Sequence, residues 1–380
     1  MHQRPQIVID EKIPFIKGVL EPYADVNYVE GAQIDSNIVA NADALIVRTR
    51  TICNEALLKN STVKFIATAT IGTDHIDTAY CDAKGIFWTN APGCNSGSVY
   101  QYIASVFSWL VREKRVELEM LTLGVVGCGH VGSKVARLGH LLGMKVLVND
   151  PPLQRAHGGN FVSLDDLLQQ SDIVSLHTPL TRSGEDKTFH LIDNVNLNKM
   201  KPSVWLINSS RGEVVDGEAL EMALENKAMQ GAILDVWEHE PHISSGLLNQ
   251  VALATPHIAG YSADGKATAT AMSVQALSRF FNLSLDKWQP DSIPLPQQST
   301  LLTIDAANKT LSQLFAEVVW ATYAITDDND RLRNTVADFE KQRGNYPIRR
   351  EFQAYTINLK QGNSQLVDFL KALGFQVTLS

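Results

Sequence analysis

Three residues of this chain have the types that proton and hydride chemistry needs, and each follows a short apolar run. Arg211 comes after Val204–Ile207, Glu240 after Ala232–Val236, and His257 after Val251–Ala254. An arginine presents a planar fork that matches a carboxylate bidentately. A histidine exchanges a proton near neutral pH, and a carboxylate beside it fixes its tautomer and raises its basicity. Taken singly, Arg211 is a helix-end cap, Glu240 an ordinary turn before Pro241, and His257 a structural histidine. In this order behind a nucleotide loop they predict the oxidation of an alcohol. One group would hold the substrate and another would remove the hydroxyl proton.

The nucleotide loop lies in LTLGVVGCGHVGSKVARLGHLLGMKVLVND, residues 121–150. Leu123–Val126 is predicted as a buried parallel strand. The spacing G-x-G-x-x-G follows at Gly127, Gly129 and Gly132, with His130 and Val131 between the last two. The first glycine permits a tight turn, the second a close backbone approach to pyrophosphate, and the third helix–strand packing. A helical pattern (Val131, Val135, Leu138, Leu142) opens there, offering N–H groups and a positive dipole end to phosphate. A second strand, Lys145–Val148, ends at Asp150, 18 residues past Gly132. An acid at that distance is placed for the adenosine ribose and favours NAD over NADP.

These elements sit in a chain of 380 residues, long enough for two or three domains. Its 44% hydrophobic and 19% charged content is that of an ordinary globular protein. A net charge of −8 leaves no electrostatic footprint for nucleic acid or an anionic membrane, and no apolar run reaches spanning length. The densest basic cluster, Lys341, Arg343, Arg349 and Arg350, reads as solvated surface. Cys53, Cys81, Cys94 and Cys128 have no metal-ligand spacing and suggest a reducing compartment. No metal site is expected. The N-terminal MHQRPQIVIDEKIPF has acids and a proline where a signal peptide needs its apolar core, so the cytoplasm is expected.

Residues 1–95 alternate strands (Gln6–Asp10, Ala44–Arg48, Lys64–Ala69) with helices (Asn54–Lys59, near Ala79–Lys84). The Pro/Gly loop Asn90–Asn95 reads as a domain joint, and the largely apolar helix Val99–Val111 as a buried one. A nucleotide domain then runs over 96–257. Strand Ile173–Leu176 ends in His177-Thr178-Pro179. A helix over Ser262–Phe281 returns the chain towards the first domain, so that 1–95 with 258–285 form one unit. The proline-bearing 286–300 reads as a linker. A third unit then has a strand near Leu301–Ile304, a helix near Leu311–Ile325, and a closing helix Gln365–Leu373 before Phe375–Leu379.

The chain resembles the D-isomer-specific 2-hydroxyacid dehydrogenases over roughly residues 5–285. The matching motifs are the glycine loop, Asn208-Ser209-Ser210-Arg211-Gly212 with Val215-Asp216, Leu234-Asp235-Val236-Trp237-Glu238-x-Glu240-Pro241, and Thr255-Pro256-His257-Ile258-Ala259-Gly260. The resemblance implies two Rossmann-like doubly wound parallel-sheet domains plus a small α+β C-terminal dimerisation domain over 286–380. It implies that Arg211 holds the substrate carboxylate, His257 is the acid/base and Glu240 its partner. Asp150, Thr178, Asp235 and Gly260 would contact NAD; Thr49, Thr70 and Tyr261 would contact a small phosphorylated 2-hydroxy acid. A homodimer is the implied assembly. Two departures touch helix packing and loop surface: Ser96–Gln101, where the family has small apolar residues and then Glu, and Ser209-Ser210 in place of Ala-Cys. A sibling substrate such as 3-phosphoglycerate, glyoxylate or a simple D-2-hydroxy acid is the near alternative. NAD-sensing corepressors share the fold, but their long disordered tails have no counterpart in the folded pattern of the third unit.

Overall fold

The computed structural model describes residues 4–379. Two compact units divide the chain, one of residues 1–95 with 262–294 and one of 96–261 with 295–380.

The first unit is built on a parallel five-stranded sheet of order β2-β1-β3-β4-β5. The strands are β1 Gln6–Asp10, β2 Asp25–Val29, β3 Ala44–Val47, β4 Phe65–Thr68 and β5 Phe87–Thr89. Strands β1, β3 and β4 are the apolar runs read from sequence, and they are buried almost throughout. Strands β2 and β5 escaped that reading because DVNYV is half-exposed and FWT has three residues. Asn54 caps the helix Glu55–Leu58 by accepting from the Leu57 N–H, the role its side chain suggested. Helix Ala263–Phe281 lays Val274 and Leu277 in the same core as Ile7, Ile46 and Phe65.

The second unit carries a parallel six-stranded sheet of order β11-β10-β9-β8-β6-β7. Its strands are β6 Thr122–Val126, β7 Lys145–Asn149, β8 Ile173–Leu176, β9 Trp205–Asn208, β10 Gly231–Leu234 and β11 Leu253–Ala254. The order reverses between β6 and β8, and ligands of such sheets bind at that switch point, beyond the strand carboxyl ends. A smaller parallel sheet joins β12 Leu301–Asp305, β13 Thr356–Lys360 and β14 Gln376–Leu379. The sequence reading missed β13, its central strand.

The sequence sets residues 286–380 apart as a third unit, whereas residues 295–380 cluster with the nucleotide sheet in one compact unit. The reason lies on helix Ser96–Lys114. Its apolar face, with Tyr102, Phe107 and Leu110, shares a core with Phe315, Val318 and Val319 of helix Leu311–Thr322. A polar stripe at helical spacing runs beside it: Ser98 bonds Glu351 (2.9 Å), Gln101 the Arg350 carbonyl (2.9 Å), Ser105 the Tyr323 carbonyl (2.7 Å) and Ser108 the Ala316 carbonyl (2.6 Å). Buried hydroxyls and amides need such partners, and losing one typically costs about 1–3 kcal/mol. Helix Ile325–Asn334 covers the sheet edge, where the Asn329 side chain accepts from the Ala254 N–H at 3.0 Å. No helix among the described residues is long and apolar enough to cross a membrane.

Candidate active site

The turn after β6 places the glycines as their spacing predicts. Gly127 has φ +85°, and a Cβ there would press on the His177 carbonyl of the loop after β8. A Cβ on Gly132 would collide with the Gly127 carbonyl, so the helix Gly132–Leu141 can begin this close to the strand only with glycine. Gly129 faces open space. His130 is exposed and Val131 half-buried on the same turn. Across the switch point, buried Thr178 Oγ1 has no hydrogen-bond partner among the described residues. An open glycine face, a helix N-terminus and an unsatisfied hydroxyl fit the pyrophosphate side of NAD.

Asp150 does two local jobs. Its Oδ2 accepts from the Cys128 N–H (2.7 Å) and its Oδ1 caps the helix Pro151–His157 through the Leu153 N–H (2.9 Å). Each oxygen retains a lone pair for a ribose hydroxyl, and the carboxylate is tied to the turn that would carry the phosphates. His177, next to Thr178, lies 2.9 Å from the Ser175 hydroxyl, and desolvation pushes its imidazole down to about 3.

The three chemistry-bearing residues come together in this unit. Arg211 leaves β9 in extended conformation, and Asn208 braces the turn by donating to the Arg211 carbonyl (2.8 Å) and accepting from Ser210. Gly212 then lies so close to the Trp237 carbonyl that any Cβ would overlap it, which brings the loops after β9 and β10 side by side. Arg211, Glu240 and His257 line one cavity of about 490 Å³, with Arg182, Phe189 and Trp237 in its wall. His257 Nδ1 lies 2.8 Å from Glu240 Oε2; a carboxylate only accepts, so Nδ1 carries the proton and Nε2 is left as the basic atom. Glu240 Oε1 accepts from the Trp237 N–H at 2.9 Å. Burial pushes the Glu240 carboxyl upward, but the bond and charge of His257, the Trp237 N–H and the Arg343 charge outweigh it and hold the group below its ordinary range.

Asp235 is just past β10 and fully buried, with its oxygens on the Thr255 hydroxyl (2.6 Å) and the Ile258 and Ala259 N–H groups (2.8 and 2.9 Å). It props the His257–Gly260 loop from beneath. Burial raises its carboxyl against the lowering effects of His257 and these bonds. Tyr261, half-buried, stacks edge-on against Tyr346, with ring centroids 6.0 Å apart. In the first unit, Thr49 is exposed beyond β3, and Thr70 beyond β4 bonds the Thr68 hydroxyl (2.7 Å) and the Gly72 carbonyl (2.9 Å).

Two arginines of the basic cluster that reads in sequence as solvated surface lie inside the fold near the site. Arg349 is 4% exposed and bonded to the backbone beside His257. Arg343 lies over the Tyr261 ring, 5.7 Å from its centroid, and its charge acts on Glu240. A basic cluster carries no local sign of which members the fold buries. The polar stripe on the otherwise apolar helix Ser96–Lys114 was the available hint that the C-terminal residues dock here.

Residues 103–259 match the family described as D-isomer specific 2-hydroxyacid dehydrogenase, NAD binding domain, and residues 295–374 match a domain of unknown function. The chain is 46% identical over 354 residues to an erythronate-4-phosphate dehydrogenase of Bacteroides fragilis, covering 93% of this chain and 99% of the relative. It is 40% identical over 377 residues to the enzyme of that name from Pseudomonas syringae pv. tomato, covering 97% and 99%. A D-lactate dehydrogenase from Aquifex aeolicus, solved with NAD and lactic acid, superposes with a TM-score of 0.63 at 30% identity, covering 74% of this chain and 96% of that one. Fold, family match and relatives together define an NAD-dependent dehydrogenase of the 2-hydroxyacid class. Within that class, the chain belongs to the erythronate-4-phosphate dehydrogenase family.

Proposed function

We propose that the chain oxidises 4-phospho-D-erythronate at C2 to 2-oxo-3-hydroxy-4-phosphobutanoate, on the route to pyridoxal phosphate. The observation that carries the reaction is the His257–Glu240 pair opening on the same cavity as Arg211. The named substrate rests on relatives similar from end to end.

NAD, when bound, accepts the hydride that leaves C2. The Arg211 guanidinium grips the substrate carboxylate and so orients C2. His257 Nε2 takes the hydroxyl proton as the C2–O bond becomes a carbonyl, and Glu240 stabilises the imidazolium that results. Gly127, Gly129, His130, Val131 and Gly132 hold the pyrophosphate, Asp150 the adenosine ribose, and Thr178, Asp235 and Gly260 complete the NAD contacts. Thr49, Thr70 and Tyr261 contact the substrate. The active form is a cytoplasmic homodimer, for which light scattering should give about twice the 41.8 kDa chain mass.

Initial rates with NAD and a panel of phosphorylated and plain 2-hydroxy acids test this reading. Donors arranged for a phosphate are left unpaired by an analogue without it. 4-Phosphoerythronate should therefore exceed erythronate in kcat/KM by on the order of a thousandfold. Arg211→Ala should damage both substrates alike, while Arg48→Ala, which removes a cationic donor at the exit of β3 next to Thr49, should narrow the gap. Equal turnover of erythronate or D-lactate would remove the named substrate and leave a 2-hydroxyacid dehydrogenase.

A further inference from the structure

His257 has φ +56°, in the left-handed region that non-glycine residues seldom occupy. The backbone that follows it is held from two sides. Asp235 takes the N–H groups: its carbonyl accepts from His257 (2.7 Å), its Oδ1 from Ile258 (2.8 Å) and its Oδ2 from Ala259 (2.9 Å). Arg349, from the C-terminal residues, takes the carbonyls: Nη2 donates to Ile258 (3.1 Å) and to Ala259 (2.6 Å).

Arg349 is a costly residue to bury. Its Nε and Nη1 have no hydrogen-bond partner among the described residues. Its guanidinium lies 4.4 Å from the centroid of Tyr323 and 5.6 Å from that of Tyr346. Both tyrosine hydroxyls donate to Asp328, at 2.7 and 2.6 Å. An apolar side chain of similar volume would fill this space without the desolvation penalty, and such replacements are often neutral or stabilising. Packing alone therefore does not account for a guanidinium here, whereas the two carbonyls beside His257 do.

We propose that Arg349 is a positioning residue for hydride transfer: by holding the Ile258 and Ala259 carbonyls against Asp235, it fixes His257 in the conformation that aims Nε2 into the catalytic cavity. It does not line that cavity. The proposal rests on His257 being the acid/base.

The test compares full-length Arg349→Met, Arg349→Gln and Arg349→Lys with His257→Asn, using NAD and the best hydroxy acid of the panel. Displacing a reacting group by about 1 Å costs on the order of a hundredfold, so Arg349→Met and Arg349→Gln should lose about that much kcat. KM for the hydroxy acid should stay within about threefold, because Arg211 is untouched. The isotope effect from deuterium at C2 should rise as chemistry becomes rate-limiting. Arg349→Lys keeps a charged donor for the same carbonyls and should recover kcat to within about tenfold of wild type, with the isotope effect still raised. Wild-type kcat and isotope effect per folded site in the uncharged variants, whatever their Tm, overturn the proposal. Should neither uncharged variant fold, wild-type kcat and isotope effect in Arg349→Lys overturn it instead. Retained activity in His257→Asn would instead strike the acid–base reading, a separate failure.

Discussion

Glu238 and Glu240 stand two positions apart in one loop and serve different histidines. Glu240 Oε2 meets His257 Nδ1 at 2.8 Å, while Glu238 Oε1 meets His190 Nε2 at 2.8 Å and its Oε2 accepts from the Gly217 N–H at 2.9 Å. His239 between them has φ +61°, so the chain turns at that residue. One carboxylate is thereby paired with the histidine of the proposed triad and the other braces the loop, and both border the cavity.

Glu240→Gln should lower kcat for oxidation by on the order of a hundredfold or more, because a neutral amide does not stabilise the charge that develops on His257 as it takes the hydroxyl proton. The amide oxygen can still accept from His257 Nδ1, so KM for the hydroxy acid should change little. Glu238→Gln should leave kcat unchanged and lower stability by about 1–3 kcal/mol, read by urea unfolding. Equal kcat in both variants would separate Glu240 from the proton transfer.

Asp150→Asn should relax the choice of cofactor without unfolding the helix it begins. Asparagine is as good an N-cap as aspartate, so the Leu153 N–H stays satisfied. What is lost is the second acceptor, used by the Cys128 N–H, and the negative charge that in the proposed NAD contact repels a 2′-phosphate and accepts from the ribose. The NAD over NADP preference in kcat/KM should fall by at least about tenfold, an effect of charge-assisted bonding. An unaltered preference with Tm preserved would place cofactor selection elsewhere.

His177 should make the protein acid-sensitive. Desolvation holds its imidazole at about 3 against 6.5 in the free residue. Between these values the unfolded chain binds a proton that the folded chain refuses, so stability present above about 6.5 is lost as pH falls towards 3. His177→Gln should flatten the fall in Tm between about pH 7.5 and pH 5, measured without NAD. Parallel curves for the two proteins would mean that His177 does not govern this window.

Truncation after Pro294 removes no member of the proposed triad, yet should leave little soluble protein. It bares the apolar face of Ser96–Lys114, strips partners from Ser98, Gln101, Ser105 and Ser108, and uncovers the edge at β11. Exposed apolar area of this kind drives aggregation. Gel filtration and dye binding would report it, and a monodisperse, active product would contradict it.

The nucleotide loop and the doubly wound pattern were legible because they depend on neighbours in sequence. Glycine at 127 and 132 is required by backbone geometry, a positive φ at the first and the nearness of the Gly127 carbonyl at the second, and apolar runs such as Ile173–Leu176 announce strands buried on both faces. Strand β13 was not legible, since TINLK between loops carries its meaning only once β12 and β14 flank it. The sequence named Glu240 for the triad, but that Glu238, two positions earlier, serves His190 depended on the turn at His239. Arg349 marks the limit most sharply. In sequence it is one basic residue among four, and a charge is ordinarily solvated. Whether it is buried depends on which distant segments close over it, here the tyrosines at 323 and 346 and the carbonyls at 258 and 259. Its burial is therefore a property of the tertiary structure, with no trace in the residues beside it.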